Sequence, residues 1–474
     1  MERRVVAAID IGASGGRVIA GIVSKDRIDT DDVHRFPNGV VTGSDGRLHW
    51  NASGLFEQVL DGLRLLAEKY PEVSSIGIDT WAVDYGLIDR DGRLIAEPVS
   101  YRDPRTAAVI DSVHRTVSPA ELFSINGLQY LPFTTIYQLV AEQRGPTLQH
   151  AAHALLLPDL IAFWLTGVLR TEYTNATTTG LVDVHTRDWS TVLLERLGIS
   201  DGLLPPIEQP GAHRGVLLPT IAARTGLPPT IPVTTVASHD TASAVVGVPA
   251  TTPATAFVAS GTWSLVGVET AGPVLHQAAR IANFTNEGGV DGTYRFLRNV
   301  GGLWYLQESM RTWAEQGRPQ DLAALIDAAA NEPDDVNLFD VDADALIAPD
   351  GMPERIADQI VASGGQPPST PAGLTRSIID SLAHGYARTV RDAGELTERP
   401  VETIHMVGGG SQNTLLCQRT ADLSRKTVIA GPVEATAIGN VLVQARALGA
   451  APTSLHELRE LVASSTTLRR YEPC

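Results

Sequence analysis

Val5-Val6-Ala7-Ala8-Ile9-Asp10-Ile11-Gly12-Ala13-Ser14-Gly15-Gly16-Arg17-Val18-Ile19-Ala20-Gly21-Ile22-Val23 is the stretch that decides the fold. Val5 to Ile11 is apolar except for Asp10, the pattern of a strand buried on both faces. Gly12 to Arg17 reads as a tight turn and Val18 to Val23 as the returning strand of a β-hairpin. The same opening recurs about halfway along the chain. Ala254 to Ala259 is an apolar strand, Ser260-Gly261-Thr262-Trp263-Ser264 a polar turn, and Leu265 to Val268 a return strand. Two such openings in one chain suggest a duplicated unit, one copy per domain.

Leu55 to Tyr70 has helical periodicity, with Leu55, Val59, Leu63 and Leu66 on one face. Ser75 to Ile88 is strand-like, interrupted by Asp79 and Asp84. Leu203 to Pro232 is rich in proline and reads as a loop with short elements. Val233 to Ala237 is a buried strand running through Ser238-His239-Asp240-Thr241 into the small-residue helix from Ala242 to Val246. Further on, Thr403 to Val407 is a strand, Gly408-Gly409-Gly410 a turn, and Asn413 to Leu423 an amphipathic helix. The domain boundary falls near residue 245, giving domains 1–245 and 246–474.

A chain of 474 residues with 43% hydrophobic and 19% charged residues is an ordinary globular mixture. Its net charge of −17 and pI of about 5.1 disfavour a nucleic-acid partner. An anionic ligand must then be met locally, by backbone N–H groups, a divalent cation or single arginines. Cys417 and Cys474 do not make a disulfide framework, so a reducing cytoplasm is the expectation. The apolar run after Arg3 and Arg4 stops at Asp10, too short for a signal peptide, and no stretch has the length of a membrane-spanning helix. The three lysines, Lys25, Lys69 and Lys426, follow Ser24, Glu68 and Arg425. No Gly-Lys pair exists, which excludes a Walker-type P-loop, and no Val-Ala-Ile-Lys strand of a protein kinase is present.

The glycines after Asp10 allow close backbone approach to a phosphate, with successive N–H groups forming an anion nest. Asp10 at the strand end has the chemistry to hold magnesium through water, and Arg17 offers a fork to phosphate oxygens. Taken alone, the turn reads equally well as an ordinary glycine-rich hairpin; its repetition around Ser260-Gly261-Thr262 favours ligand binding. Asp240 is the candidate base, since transfer of a phosphoryl group to a hydroxyl needs a carboxylate to orient that hydroxyl and take its proton. The competing local reading makes Asp240 a helix N-cap. Asp340, Asp342 and Asp344 alternate as in a calcium loop, but Ala345 and Gly351 occupy the positions that require Gly and Glu. That run reads as a solvated acidic surface, and Cys417 as a buried packing residue.

In order along the chain, Asp10 to Arg17, Ser238 to Thr241, Ser260 to Ser264 and Gly408 to Gly410 resemble the FGGY carbohydrate kinases of the actin-like ATPase superfamily. Ser75 to Asp84, Tyr101-Arg102-Asp103, Tyr173 to Thr179, Thr285 to Gly289 and Ala430 to Ala435 extend the resemblance over nearly the whole chain. Within the family the pattern is nearest to members acting on L-rhamnulose. The resemblance implies an α/β fold with two RNase H-like domains flanking a catalytic cleft. It implies ATP and Mg2+, and L-rhamnulose converted to L-rhamnulose 1-phosphate in L-rhamnose breakdown. It makes Asp240 the proton acceptor. Ala13, Ser14, Gly15, Gly16, Arg17, Thr262, Gln307 and Gly409 would contact ATP. Ala82, His239, Asp240, Thr241 and Asn299 would contact the sugar. Two positions depart from the pattern: Gly15 stands where a second Ser is frequent, and Ala82 where Gly is usual. The alternatives left open are another sugar kinase of this family, acting on fuculose, xylulose or a related polyol, and a non-kinase actin-like ATPase.

Overall fold

The computed structural model describes residues 3–333, 337–348 and 350–474; Met1 and Glu2 of the basic start lie outside the described residues. The chain forms two compact units. The first comprises Met1–Thr251, Glu269–Phe296 and Ala435–Ser465, and the second Thr252–Val268, Leu297–Glu434 and Thr466–Cys474. After residue 251 the chain thus returns twice to the first unit.

The first unit is built on β1 (Arg4–Gly12), β2 (Gly15–Val23), β3 (Ile28–Pro37), β4 (Val73–Thr80), β5 (His213–Val216) and β6 (Pro232–Thr234), in the order β5-β6-β4-β1-β2-β3. β2 runs antiparallel to β1 and β3, whereas β4 is parallel to β1 and β6 to β4. The opening turn is tighter than its six polar and small residues suggest. Gly12 pairs with Gly15 and Ile11 with Gly16, so that only Ala13 and Ser14 lie between the strands. Gly16 is required by packing, because a Cβ there would sit 2.3 Å from the Phe36 ring across the ladder.

Val5 to Ile9 are fully buried. The helix Ala52–Lys69 is capped by Asn51, whose side chain accepts from Gly54 N at 2.9 Å, and it buries Leu55, Val59, Leu63 and Leu66 as its periodicity dictates. The proline-rich stretch does contain only short elements, β5 and the helix Pro219–Thr225 among them. β6 ends at Thr234, earlier than the apolar run, but pairing alongside β4 resumes where Thr80 N donates to Ser238 O at 2.9 Å. The helix Asp240–Val246 then packs against the helix Ala435–Ala447 within the same unit. The two backbones approach so closely that a Cβ on Gly439 would fall 1.8 Å from Ser243 O, and one on Gly247 2.3 Å from Ala435 O.

The second unit carries β7 (Thr255–Ser260), β8 (Trp263–Thr270) up to Val268, β9 (Tyr294–Gly301) from Leu297 on, β10 (Thr403–Val407), β11 (Thr427–Ala430) and β12 (Arg469–Tyr471), ordered β9-β8-β7-β10-β11-β12. β7 and β8 form an antiparallel hairpin, and β10 is parallel to both β7 and β11. The order β9-β8-β7-β10-β11 repeats β3-β2-β1-β4-β6 of the first unit. The α/β class is therefore present, and the strand order that follows each of the two openings is the same.

Cys417 is fully buried, its Sγ 3.5 Å from Met406 Sδ, and burial pushes its thiol pKa up to about 12. The acidic run at 340–344 differs from a wholly solvated surface. Asp342 accepts from Arg298 at 2.6 Å and from Arg388 at 2.7 Å, because it caps a local cluster of arginines. Among the described residues no helix is long and apolar enough to cross a membrane.

Candidate active site

Three carboxylates gather at the carboxyl ends of adjacent parallel strands of the first unit, the edge at which α/β sheets hold ligands. Asp10 near the end of β1 stands in register with Asp79 of β4. One residue on, Thr80 bridges to His239, which places Asp240 beside them at the start of its helix. Asp240 is not the N-cap that its residue type suggests. His239 holds that position without a side-chain bond, and Asp240 is the first helical residue. The bridge to Thr80 extends the chain through His239, so the helix begins one residue later. Asp240 Oδ1 accepts from Thr241 N at 2.5 Å and Thr241 Oγ1 at 3.1 Å.

Burial raises the pKa of Asp240, and Asp10 adds to the effect, against opposing contributions from His239 and Thr241. Asp79 is completely buried. Its Oδ2 accepts from Asn440 Nδ2 at 2.6 Å, while Oδ1 has no hydrogen-bond partner. Burial, then Asp10, push its pKa well above the usual carboxylate value. Asp10 Oδ2 accepts from Arg17 Nη2 at 2.7 Å, so the candidate magnesium ligand and the candidate phosphate fork are each other's partners.

Ser238 is held from below by Glu172, whose Oε2 accepts from Ser238 N at 3.0 Å and Ser238 Oγ at 2.8 Å. His239 is buried, with Nε2 3.5 Å from Asp240 Oδ1. Ala82, the remaining sugar candidate of this unit, is half-buried at a strained corner. Asp84 N donates to Ala82 O at 2.9 Å, around Val83 with φ of 67°. A β-branched residue in that region is held against its preference by its surroundings. Here Thr135 Oγ1 and Gln138 Nε2 donate to Val83 O, and Trp50 and Trp81 Nε1 donate to Asp84 Oδ2 at 2.6 and 3.0 Å.

In the second unit, the β7–β8 turn rests on the start of the helix Trp304–Glu315. Gly261 O accepts from Leu303 N at 3.0 Å and Thr262 O from Trp304 N at 3.1 Å. Gln307, exposed on that helix, and Thr262 therefore share one end of the unit. The glycine triplet adjoins the same turn. A Cβ on Gly408 would lie 2.8 Å from Ser260 O and one on Gly410 2.1 Å from Ser260 Oγ, whereas one on Gly409 would meet nothing within 4 Å. Gly408 and Gly410 thus answer to packing, and Gly409 alone presents open backbone. Asn299 is half-buried on β9. A separate groove of about 970 Å³ along the helix Pro371–Leu396, lined by His384, Arg388 and Lys426 among others, includes none of these residues.

Among the described residues no three His, Cys, Asp or Glu side chains are grouped so as to hold a metal by themselves. The acidic corner nevertheless suits Mg2+, which keeps several waters and takes one or two carboxylates together with substrate phosphates. Its buried, partnerless Asp79 Oδ1 and the Asp10 carboxylate are oxygens of that kind. Sequence reasoning noticed Asp79 only as a polar interruption of a strand. The signal available was its position in an apolar run that repeats the Ile-Asp pairing of Ile9-Asp10. Glu172 and Asn440 carried no such signal.

Residues 5–247 match the N-terminal domain, and residues 256–448 the C-terminal domain, of the FGGY family of carbohydrate kinases. The chain is 41% identical over 477 residues to a rhamnulokinase of Pectobacterium carotovorum, covering all of this chain and 94% of the relative. It is 38% identical over 468 residues to a rhamnulokinase of Bacteroides thetaiotaomicron, with 98% and 95% covered. Solved structures with the same fold include a gluconate kinase from Lactobacillus acidophilus, with a TM-score of 0.79 at 15% identity over 100% of this chain and 94% of that one. Glycerol kinase of Plasmodium falciparum with ADP gives 0.78 at 14% identity over 100% and 95%. Two matched domain models, full-length relatives and a common fold agree: the chain belongs to the FGGY family of carbohydrate kinases.

Proposed function

We propose that the enzyme transfers the γ-phosphate of ATP to the 1-hydroxyl of L-rhamnulose, giving L-rhamnulose 1-phosphate in L-rhamnose breakdown. The observation that carries the substrate is similarity over nearly the whole chain to proteins named rhamnulokinase, at 37–41% identity.

Asp240 takes the base role. It lies at the strand ends with Thr241 occupying Oδ1, which leaves Oδ2 to accept the proton of the sugar hydroxyl. Its raised pKa makes it a stronger base than an ordinary surface carboxylate. His239, Thr241 and Ala82 in the first unit, and Asn299 in the second, orient the sugar. For ATP, Ala13 to Arg17 act in the first unit and Thr262, Gln307 and Gly409 in the second. Asp10 would hold Mg2+ through water, and the ion, when bound, neutralises charge on the phosphate oxygens. Residues 1–245 accordingly supply the base, the phosphate contacts and all the sugar contacts but Asn299, and residues 246–474 the remaining nucleotide contacts. The reading places the enzyme in the cytoplasm.

The experiment is a panel of L-rhamnulose, L-fuculose, D-xylulose and glycerol, followed by ADP release, with the phosphate position assigned by NMR. L-Rhamnulose phosphorylated at O1 and turned over best supports the reading. Preference for fuculose or xylulose would replace the substrate and leave the reaction type intact.

A further inference from the structure

Beneath His239 lies a second pair of charges that the reaction as described does not use. Arg295, on the part of β9 that belongs to the first unit, is completely buried, and Glu287, on the strand Thr285–Gly288 of that unit, is almost so. Arg295 Nε donates to Gly288 O at 2.9 Å, which fixes the guanidinium. Its Nη1 stands 3.1 Å from His239 Nδ1 with hydrogen-bond geometry, and 3.1 Å from Glu287 Oε2. Glu287 Oε2 is 3.2 Å from the same Nδ1 but completes no hydrogen bond. Burial opposes charge on Glu287, and Arg295 beside it works the other way, holding its carboxyl below the usual range.

An arginine can only donate. A ring nitrogen that accepts from it carries no proton, so a neutral His239 has its proton on Nε2, the nitrogen facing Asp240 Oδ1 at 3.5 Å. The geometry points to Arg295 and Glu287 as positioning residues that fix His239 in this form. His239 then presents a donor, never a lone pair, towards Asp240 and the hydroxyl it serves. Arg295 sets the tautomer. Glu287 balances the buried guanidinium, which would otherwise stand as an uncompensated charge. With Arg295 removed, Glu287 is the remaining partner at Nδ1, and as an acceptor it draws the proton there. The lone pair of Nε2 then faces the Asp240 carboxylate. This inference rests on Asp240 as the base, but its most direct readout does not.

The test uses the full chain labelled with 15N in its histidine rings, at a pH where His239 is neutral. His239 is assigned by comparison with His239→Gln. The wild type is expected to show a protonated Nε2 and a bare Nδ1. Arg295→Met should move the proton to Nδ1. It should also lower kcat by about tenfold or more, since a wrongly held imidazole is costly to base catalysis, while leaving the KM for ATP unchanged. Arg295→Lys should restore the Nε2–H form and much of kcat, and Glu287→Gln should keep that form. The double variant Glu287→Gln/Arg295→Met removes both buried charges together and covers failure of Arg295→Met to fold; it too should lose the single Nε2–H form. A proton on Nδ1 in the wild type, or a folded variant lacking Arg295 with unchanged tautomer and kcat, overturns the inference. Near-normal turnover by Asp240→Asn would instead remove the base assignment and leave the tautomer result standing.

Discussion

Asp10 and Asp79 stand opposite one another, in register, at the carboxyl ends of the parallel strands β1 and β4. A neighbouring carboxylate disfavours ionisation of a buried one. Asp10 has Arg17 to balance it, whereas Asp79 is buried with only Asn440 at Oδ2 and nothing at Oδ1. Burial, then Asp10, therefore push the Asp79 pKa well above the usual carboxylate value.

A buried acid with a raised native pKa binds its proton more tightly folded than unfolded. Its contribution to stability is complete below the ordinary Asp value of ~3.9 and is lost as pH rises through the folded value. Asn at position 79 stays neutral and still accepts from Asn440. Without magnesium or nucleotide, Asp79→Asn should match the wild-type Tm near pH 4 and exceed it by roughly 2–4 °C near pH 8. Thermal unfolding followed across that range checks the sign; a variant less stable than the wild type at pH 8 contradicts it.

The helix that starts with Asp240 is placed by its contact with the helix Ala435–Ala447. Gly439→Ala puts a methyl 1.8 Å from Ser243 O, with backbone on both sides. Overpacking of this kind costs about 1–3 kcal/mol. The variant should lose Tm, and its kcat should fall more than its affinity for ATP, because the displaced element carries the base. Calorimetry with steady-state kinetics decides; unchanged Tm and kcat would mean that this contact does not position Asp240.

Asp84 supports the corner that presents Ala82. Burial raises its pKa, and the indole N–H groups of Trp81 and Trp50 oppose this. Gln138 Nε2 faces its Oδ1 at 3.2 Å, and the Gln138 amide is fixed by Phe133 O and by Arg105 at Oε1. In Asp84→Asn, an oxygen kept on the two indoles turns an NH2 group onto the Gln138 NH2. A buried donor left unsatisfied costs about 1–3 kcal/mol. Urea unfolding should show that loss, together with a higher KM for the sugar; full stability would mean that Gln138 reorients freely.

With that corner rigid, a change at Ala82 is felt by the ligand before it is absorbed by the wall. One methyl in an apolar pocket is worth about 1–3 kcal/mol of discrimination. Ala82→Gly should raise the KM for L-rhamnulose while leaving that for ATP alone. A lower Tm with no change in sugar preference would show that the methyl serves packing only.

The two hairpins and their repetition were legible because an apolar run broken by small residues has few other solutions, and Asp240 because a carboxylate at a strand-to-helix junction is conspicuous. What lies under these residues was not. Asn440 reaches Asp79 across 361 positions of sequence, and Arg295 reaches His239 across 56. No spacing rule joins such pairs, since they meet only when the chain returns to the first unit. Val83 concealed its left-handed backbone behind a residue type that normally avoids it. The triplet 408–410 looked uniform, yet two of its glycines are demanded by Ser260 and only Gly409 is open.

The most direct measurement of the central claim is turnover of L-rhamnulose by Asp240→Asn, with ATP binding measured on the same preparation. Asn keeps the size of the side chain and an acceptor for Thr241, but it cannot take the proton. Folding and ATP affinity should match the wild type, and kcat should fall by roughly 10²–10⁴-fold, the range of general base catalysis. A correctly folded Asp240→Asn enzyme that phosphorylates L-rhamnulose at near the wild-type rate would contradict the account.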